Sequence, residues 1–592
     1  MTAGRRQHWG PVIDADTVRF ALWAPAQTRL KLRNGGRDLD MARQGDGWFH
    51  CTLPRAETGE AYSFVLDDGT VVPDPAARAQ MDDVHGLSRL IDAADYRWRH
   101  DRPGRPWEEA VIYELHIGTF TPDGTFAAAA TRMGDLADLG VTAVEIMPVA
   151  QFAGNRGWGY DGVLPYAVHP AYGTPDDLRT LVDAAHGAGL MVLLDVVYNH
   201  FGPEGNYLNL YAPDFFDASR QTPWGAAIAY DRGPVRRFFV ENALYWLRDF
   251  RLDGLRLDAI DHVQDRSDPE ILVEIAQQVR RAFPDDAIHL TTEDNRNVTH
   301  LHAREDGRVP LYTAEWNDDW HNAAHVIATG EGEGYYADFA DTPHAHLARA
   351  LAEGFAYQGQ TSPQTGRPRG APSAHLPPAA FVDFLQNHDQ IGNRAFGERI
   401  DALAPQPVVR ALRTILLLSP HIPLMFMGEE YGETRPFLFF TDFHGDLADA
   451  VRQGRRREFA GFAAFADGAV SAIPDPNAAE TFAASRIDWA QRDGAGQDRL
   501  EETRRLLRVR RREVVPHLAG VDGHAGRIVA AEGDVIAVDW QLRGATLSLR
   551  AHLGDGQATV PAAPGRVISG PVGGGSSLGA WQVRFTKLED GA

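Results

Sequence analysis

Residues Gly254 to His262 read GLRLDAIDH. In an extended strand successive side chains alternate faces, so Leu255 and Leu257 point one way and Arg256 and Asp258 the other. Two charges on the inner face of a strand are costly unless something compensates them. The stretch therefore asks for a fold in which an inward-facing arginine and aspartate, two residues apart, have a use.

From about residue 110 the chain alternates strand-like and helix-like segments, the rhythm of βα units. Eight candidate strands follow in order: VIYELHIGTF, VTAVEIMPV, LMVLLDVVYNH, GLRLDAI, AIHLTTED, VPLYTAEW, AAFVDFLQNHD and PLMFMGEE. Helical segments such as FAAAATRMGDLADLG and PDDLRTLVDAAHGAG lie between them. Eight parallel strands each followed by a helix predict an α/β fold, the (β/α)8 TIM barrel. A doubly wound open sheet also alternates, but no G-x-G-x-x-G fingerprint stands at a strand-to-helix turn. The stretches from His200 to about Arg251 and from about 390 to 420 read as long excursions.

Residues 1–104 read as short strands broken by turn signals (VRFALWAP, TRLKLRNGG, GWFHCTLP, AYSFVLDDG), predicting an N-terminal β-sandwich. DYRWRHDRPGRPW, ending at Trp107, reads as the linker. The barrel is expected over 105–518, its last helix near DRLEETRRLLRVRRREVV. GRIVAAEG, DVIAVDWQL, ATLSLRAHL and WQVRFTKL then predict a C-terminal all-β domain over 519–592.

The formal charge is −23, from 58 basic and 81 acidic residues. That argues against nucleic acid and anionic membrane as partners and leaves a neutral ligand unaffected. No run is long enough to span a bilayer. MTAGRRQHWGPVIDADTVRF contains no apolar leader core. Cys51 is the single cysteine, so no intramolecular disulfide can form, and a cytoplasmic location is expected.

Active sites of such barrels collect at the carboxyl ends of the strands. Asp195, Asn199 and His200 stand there on strand three, Arg256 and Asp258 on strand four, Glu293 and Asp294 on strand five, and Asn387, His388 and Asp389 on strand seven. Any one of these is equally good as a helix cap. Carboxylates after several strands of one rim, with an arginine among them, are not explained that way. No H-E-x-x-H or C-x-x-C spacing appears, and no G-x-S-x-G elbow stands at a strand-to-helix turn. Paired carboxylates on a cleft without metal or cofactor point to glycoside hydrolysis.

DVVYNH (195–200), GLRLDAIDH (254–262), TTED (291–294) and LQNHDQ (385–390) resemble, in order, the four sequence regions of the α-amylase family of glycoside hydrolases. The resemblance implies Asp258 as nucleophile, Glu293 as general acid/base and Asp389 as transition-state stabiliser. It implies further that Arg256 orients Asp258 and that His200 and His388 bind the same sugar. A guanidinium favours an ionised nucleophile, and neighbouring carboxylates favour a protonated acid. Retention of configuration is the expected outcome. Asn199 is a calcium ligand in many members, but the partner residues of that site are not recognisable here, so no metal and no cofactor are expected.

GWGYDG (157–162) and HFGPEGNYL (200–208) resemble both branching enzymes and maltooligosyltrehalose trehalohydrolases. LQNHDQIGNRAFGER, AEWNDDWHNAAHVIATGEGEGYYADF and MGEEYGETRPFLFFTDF resemble the trehalohydrolase group alone. That resemblance implies maltooligosyl trehalose and other α-1,4-glucans as partners, trehalose as product, and a functional link to a maltooligosyltrehalose synthase. Tyr160, Asp161, Asp261 and His262 are then candidates for sugar binding, with Tyr160 as an aromatic platform. Asp318, Asp319, Trp320, His321, Asn322, Gln390 and Asn393 are candidates for the subsites that receive trehalose. NDDWHN can equally be a helix start capped by Asn317 or Asp318, with Trp320 in the barrel wall. The alternatives for the whole chain are a 1,4-α-glucan branching enzyme with the same triad and, in another class, a non-catalytic glucan-binding protein. The second would ordinarily lack one of the carboxylates, and none is missing.

Overall fold

The computed structural model describes residues 7–459, 469–572 and 575–591. Residues 1–6, at the head of the stretch read for a leader, lie outside these. Eight parallel strands close into a barrel in chain order: β1 (Ile112–Leu115), β2 (Ala143–Ile146), β3 (Met191–Val196), β4 (Gly254–Leu257), β5 (His289–Thr292), β6 (Ala314–Trp316), β7 (Phe381–Phe384) and β8 (Ile422–Phe426). Ile112 opposite Leu424 pairs β1 with β8 and completes the ring. Seven of the strands lie within runs marked in the sequence, and β8 begins one residue before its run, at Ile422.

Alternation sorts the inner wall into layers. Ile112, Ala143, Leu193, Ala314, Val382, Ile422 and Leu424 belong to one buried cluster floored by Trp107, whose indole N–H donates to Ala379 O at 2.8 Å. Two residues further along their strands, Glu114, Glu145 and Asp195 share that inward face, and so do Arg256 and Thr291 on β4 and β5. All five are buried. The apolar layer thus fills the amino end of the barrel, and the charged layer is confined to the carboxyl end.

The helix Pro175–Gly187 shows why the intervening segments are helical. Thr174 caps it in a reciprocal capping box with Asp177, and Leu178, Leu181, Val182 and Ala185 turn to the core at helical spacing. The two stretches read as long excursions are corrected. Residues 200–251 hold a short helix (Leu208–Tyr211), a hairpin (Phe216–Thr222 with Gly225–Ile228) and the 17-residue helix Gly233–Asp249. Residues 390–420 likewise contain the helix Gln406–Leu418, amphipathic through Val409, Leu412, Ile415 and Leu416. Proline near each amino end is compatible with the first helical turn, which is why it did not break either helix.

Two sheets form the N-terminal region, one built on Thr17–Trp23 and Trp48–Pro54, the other on Lys31–Asn34 and Ala61–Val65. Trp9 locks them to the barrel. It is fully buried, donates its indole N–H to Pro234 O at 3.0 Å, and meets Trp48 and Phe238 edge-on at 4.9 and 5.0 Å. At the other end, five strands pair in the order 526–532, 535–542, 545–552, 582–589, 566–569. Trp540 ties this sheet to the helix Pro343–Glu353 through a 2.9 Å bond to Leu351 O. Among the described residues no helix is long and apolar enough to cross a membrane.

Truncating Trp9 to alanine removes a buried indole from a closed aromatic contact. We expect Trp9→Ala to cost about 3–5 kcal/mol of unfolding free energy, measurable by denaturant titration. A loss below about 1 kcal/mol would mean that the contact does not hold the N-terminal sheets in place.

Candidate active site

Arg256 is fully buried, and its guanidinium serves three carboxylates at once. Nη1 donates to Asp195 Oδ2 at 2.7 Å and to Asp258 Oδ1 at 2.9 Å, while Nη2 donates to Glu293 Oε2 at 2.6 Å. The register explains the convergence, since Asp195, Arg256 and Thr291 are direct partners on β3, β4 and β5. Asp258 and Glu293 follow directly from the ends of β4 and β5. Beneath them the guanidinium lies 4.1 Å from the centre of the Trp316 ring. Burial by itself would weaken the cation, but Asp195 and Glu293 outweigh it and hold the arginine firmly charged.

Each carboxylate has its own fixed surroundings. Asn199 donates from Nδ2 to both Oδ2 and the backbone carbonyl of Asp258 at 2.8 Å. Tyr160 donates its hydroxyl to Asp195 Oδ2 at 2.5 Å, and burial pushes the Asp195 carboxyl up to about 7 against the pull of Arg256. Glu293 receives a second bond on Oε2, from Ala259 N–H at 3.0 Å. Ala259 reaches it by adopting a left-handed φ of 40°, uncommon for a residue with a Cβ. The neighbours that touch Glu293 are therefore donors, not the carboxylates expected from the sequence. Asp294, beside it, turns away into a pair with Arg296.

Across the barrel, Asn387 caps the short helix His388–Gly392, accepting from the N–H groups of Asp389 (2.9 Å) and Gln390 (3.3 Å). His388 pairs through Nδ1 with Glu114 and donates its backbone N–H to the same carboxylate at 3.1 Å. Its Nε2 lies 3.6 Å from Asp389 Oδ1. Burial would discharge this imidazole, but Asp389 and Glu114 together raise it to about 9. Asp389, its side chain 31% exposed, is raised by desolvation and by Glu293, with His388 opposing. Tyr160 stacks on His388 at 5.1 Å and 18°, so one tyrosine links the Asp195 and Asp389 sides.

The remaining candidates divide. Asp318 accepts from Gln390 Nε2 at 3.1 Å and is raised by burial and by the charges of Glu293 and Asp389, which puts both residues with the carboxylates. Asn393 donates to Asp389 Oδ1 at 3.1 Å. Asp261 and Asp161 are raised by burial, Asp161 to about 6. His200 is depressed by burial to about 4, and its Nε2 faces Tyr160 O at 3.0 Å.

Asp319, Trp320 and His321 are the subsite candidates that the fold turns away from solvent. All three are buried. Asp319 pairs with Arg369 at 2.8 Å and accepts from Asn297 and the N–H groups of Ala356 and Tyr357, and His321 Nδ1 faces Leu385 O at 2.6 Å. They start the helix Asp318–Thr329, where helical spacing rotates them inward and leaves Asp318 and Asn322 only part-buried. Asn317 occupies the cap position.

Two participants escaped the sequence reading. Glu114 stands on β1 among apolar residues, and only its inward register with Ile112 marks it. Trp224, at the hairpin turn, is 46% exposed and stacks on His200 at 4.0 Å and 8°, with His262 edge-on at 5.0 Å. A tryptophan left in an exposed turn was the available signal.

Residues 107–221 match the model of the alpha amylase catalytic domain, and 524–585 match a domain of unknown function (DUF3459). The chain is 43% identical to the malto-oligosyltrehalose trehalohydrolase of Deinococcus radiodurans over 84% of its own length and 82% of the relative's. The chain belongs to the malto-oligosyltrehalose trehalohydrolases. The trehalohydrolase of Saccharolobus solfataricus is similar at 40% identity over 85% of this chain and 87% of that one. A solved alpha-amylase-type protein from Salmonella typhimurium is 53% identical, with a TM-score of 0.95 over 99% of this chain and all of that one.

The charge on His388 links the site to stability. Because its pKa rises on folding from 6.5 to about 9, the contribution is complete below 6.5 and is lost as pH climbs through 9. Unfolding free energy should fall by about 1 kcal/mol per pH unit across that window, and His388→Gln should flatten the decline in matched urea titrations.

Proposed function

We propose that this glycoside hydrolase cleaves the α-1,4 bond next to the terminal trehalose of a maltooligosyl trehalose, with Asp258 as nucleophile, Glu293 as general acid/base and Asp389 as stabiliser of the transition state. The observation that carries the reading is the single guanidinium bridging Asp258 and Glu293. Two carboxyl groups held by one guanidinium are in keeping with a retaining enzyme, whose carboxyls stand about 5–5.5 Å apart and not the ~6.5–9.5 Å that admits a water between them.

Asp258, aimed by Arg256 and Asn199, attacks the anomeric carbon of the sugar on the non-trehalose side. Glu293 protonates the departing oxygen, and trehalose leaves. Both donors to Glu293 use Oε2, so a proton carried on Oε1 leaves those bonds intact. The glycosyl–Asp258 ester is then opened by water, which gives its proton back to Glu293, and the α configuration is retained. As positive charge develops on the ring, Asp389 holds two sugar hydroxyls and Asp258 faces the anomeric carbon. Tyr160, on His388, is the platform under that ring, and Asp318, Gln390 and Asn393 are the polar groups nearest to the trehalose side. His200, Asp161, Asp261, His262 and Asn322 extend the cleft.

Maltooligosyl trehalose must be supplied by a synthase that builds the trehalose terminus on an α-1,4-glucan. With one cysteine and a soluble glucan as substrate, the cytoplasm is the compartment this reading favours. The domain division at 104/105 and 518/519 belongs to the same proposal, since no strand or helix crosses either point.

Product analysis tests the reading. Trehalose should be released from maltotriosyl trehalose while maltopentaose stays nearly inert, and iodine staining of amylose should not shift without sugar release. Glu293→Gln should lower kcat by about 10²–10⁴-fold, and Asp258→Ala retaining full activity would overturn the mechanism.

A further inference from the structure

Glu145 is a buried carboxyl that the mechanism above leaves unused. It lies on β2, is 1% exposed, and neither Oε1 nor Oε2 has a hydrogen-bond partner among the described residues. It is the direct register partner of Glu114 on β1, so the two carboxyls extend side by side from strands about 4.8 Å apart. Glu114 is already engaged by His388, through both Nδ1 and the backbone N–H. Two adjacent buried carboxylates do not both ionise when only one has a cation in contact. Burial and Glu114 push the Glu145 carboxyl well above its usual range, with Asp195 acting in the same sense and Arg256 and His388 opposing.

We propose that Glu145 is a positioning residue of the hydrolytic site, a neutral carboxylic acid that leaves Glu114 as the sole anion beneath His388 and so keeps that imidazole fixed under the −1 sugar. The inference rests on the reading of His388 as a sugar-binding group. Its proton also makes Glu145 a hydrogen-bond donor in a layer otherwise rich in acceptors, with Asp195 Oδ1 and Thr291 Oγ1 as further buried, unpaired atoms of the same wall. The groups facing it are Glu114 from β1, Asp195 from β3, Arg256 from β4 and His388 from beyond β7. A charged Glu145 would compete with Glu114 for His388 and with the catalytic carboxylates for Arg256.

The test uses full-length protein with Glu145→Gln, which keeps a neutral donor, and Glu145→Leu, which removes it. Difference infrared spectra of wild type against E145Q at neutral pH should contain the carbonyl band of a protonated carboxylic acid, a readout that needs no substrate. With maltotriosyl trehalose, E145L should lose about tenfold in kcat at near-constant KM, and E145Q should restore most of it with the alkaline limb of the pH profile in place. Absence of the band overturns the proposal. So does an alkaline limb that moves down by half a pH unit or more in E145Q, because removing a real negative charge would discharge His388 earlier. If the band is present but trehalose is not released, the substrate assignment fails and the protonation of Glu145 stands.

Discussion

A cation with no exposed surface has to be surrounded by anions, and Arg256 organises this barrel around that requirement. Three carboxylates from three consecutive strands meet one guanidinium, and Trp316 closes its remaining face. Removing any partner would leave an uncompensated buried charge, a cost of several kcal/mol. The same constraint that makes the cluster expensive makes it rigid. The carboxyl groups proposed to attack and to protonate are not independent side chains on a rim but two oxygens on one planar fork.

A second pair repeats the arrangement with opposite assignments. His388, buried and raised to about 9, stands between Glu114 below and Asp389 beside it. Tyr160 joins the two halves, hydrogen-bonded to Asp195 and stacked on His388. The inner wall therefore sets Glu114, Glu145 and Asp195 between His388 and Arg256, and its balance depends on which acids hold protons. The apolar layer below supplies the low dielectric that gives each of these choices its weight.

How legible this was depended on the range of the signal. The eight strands and most inter-strand helices were readable because period 2 and period 3.6 are local properties of the chain. The two overlong excursions were misread where a helix begins with a proline after a polar stretch, a cue that resembles a loop until the apolar spacing beyond it is weighed. NDDWHN shows a different limit. Its residues are polar and follow a barrel strand, yet Asp319, Trp320 and His321 rotate into the core, where Asp319 and His321 find partners from residues 297, 356, 357, 369 and 385. Nothing within six residues announces partners so distant.

The sequence by itself determined the barrel, the strand ends that carry charge, and the placement of Arg256 and Asp258 on one face, because alternation along a strand needs no tertiary information. Only the folded chain decided who meets whom. That Glu114 holds His388, that Glu293 is touched by donors and not by acids, and that Trp224 stacks on His200 all follow from closing the ring, which brings β1 beside β8 and places the end of β7 over Glu114. Contacts between residues 274 positions apart are fixed by the shape of a closed sheet, and a linear pattern does not contain that shape.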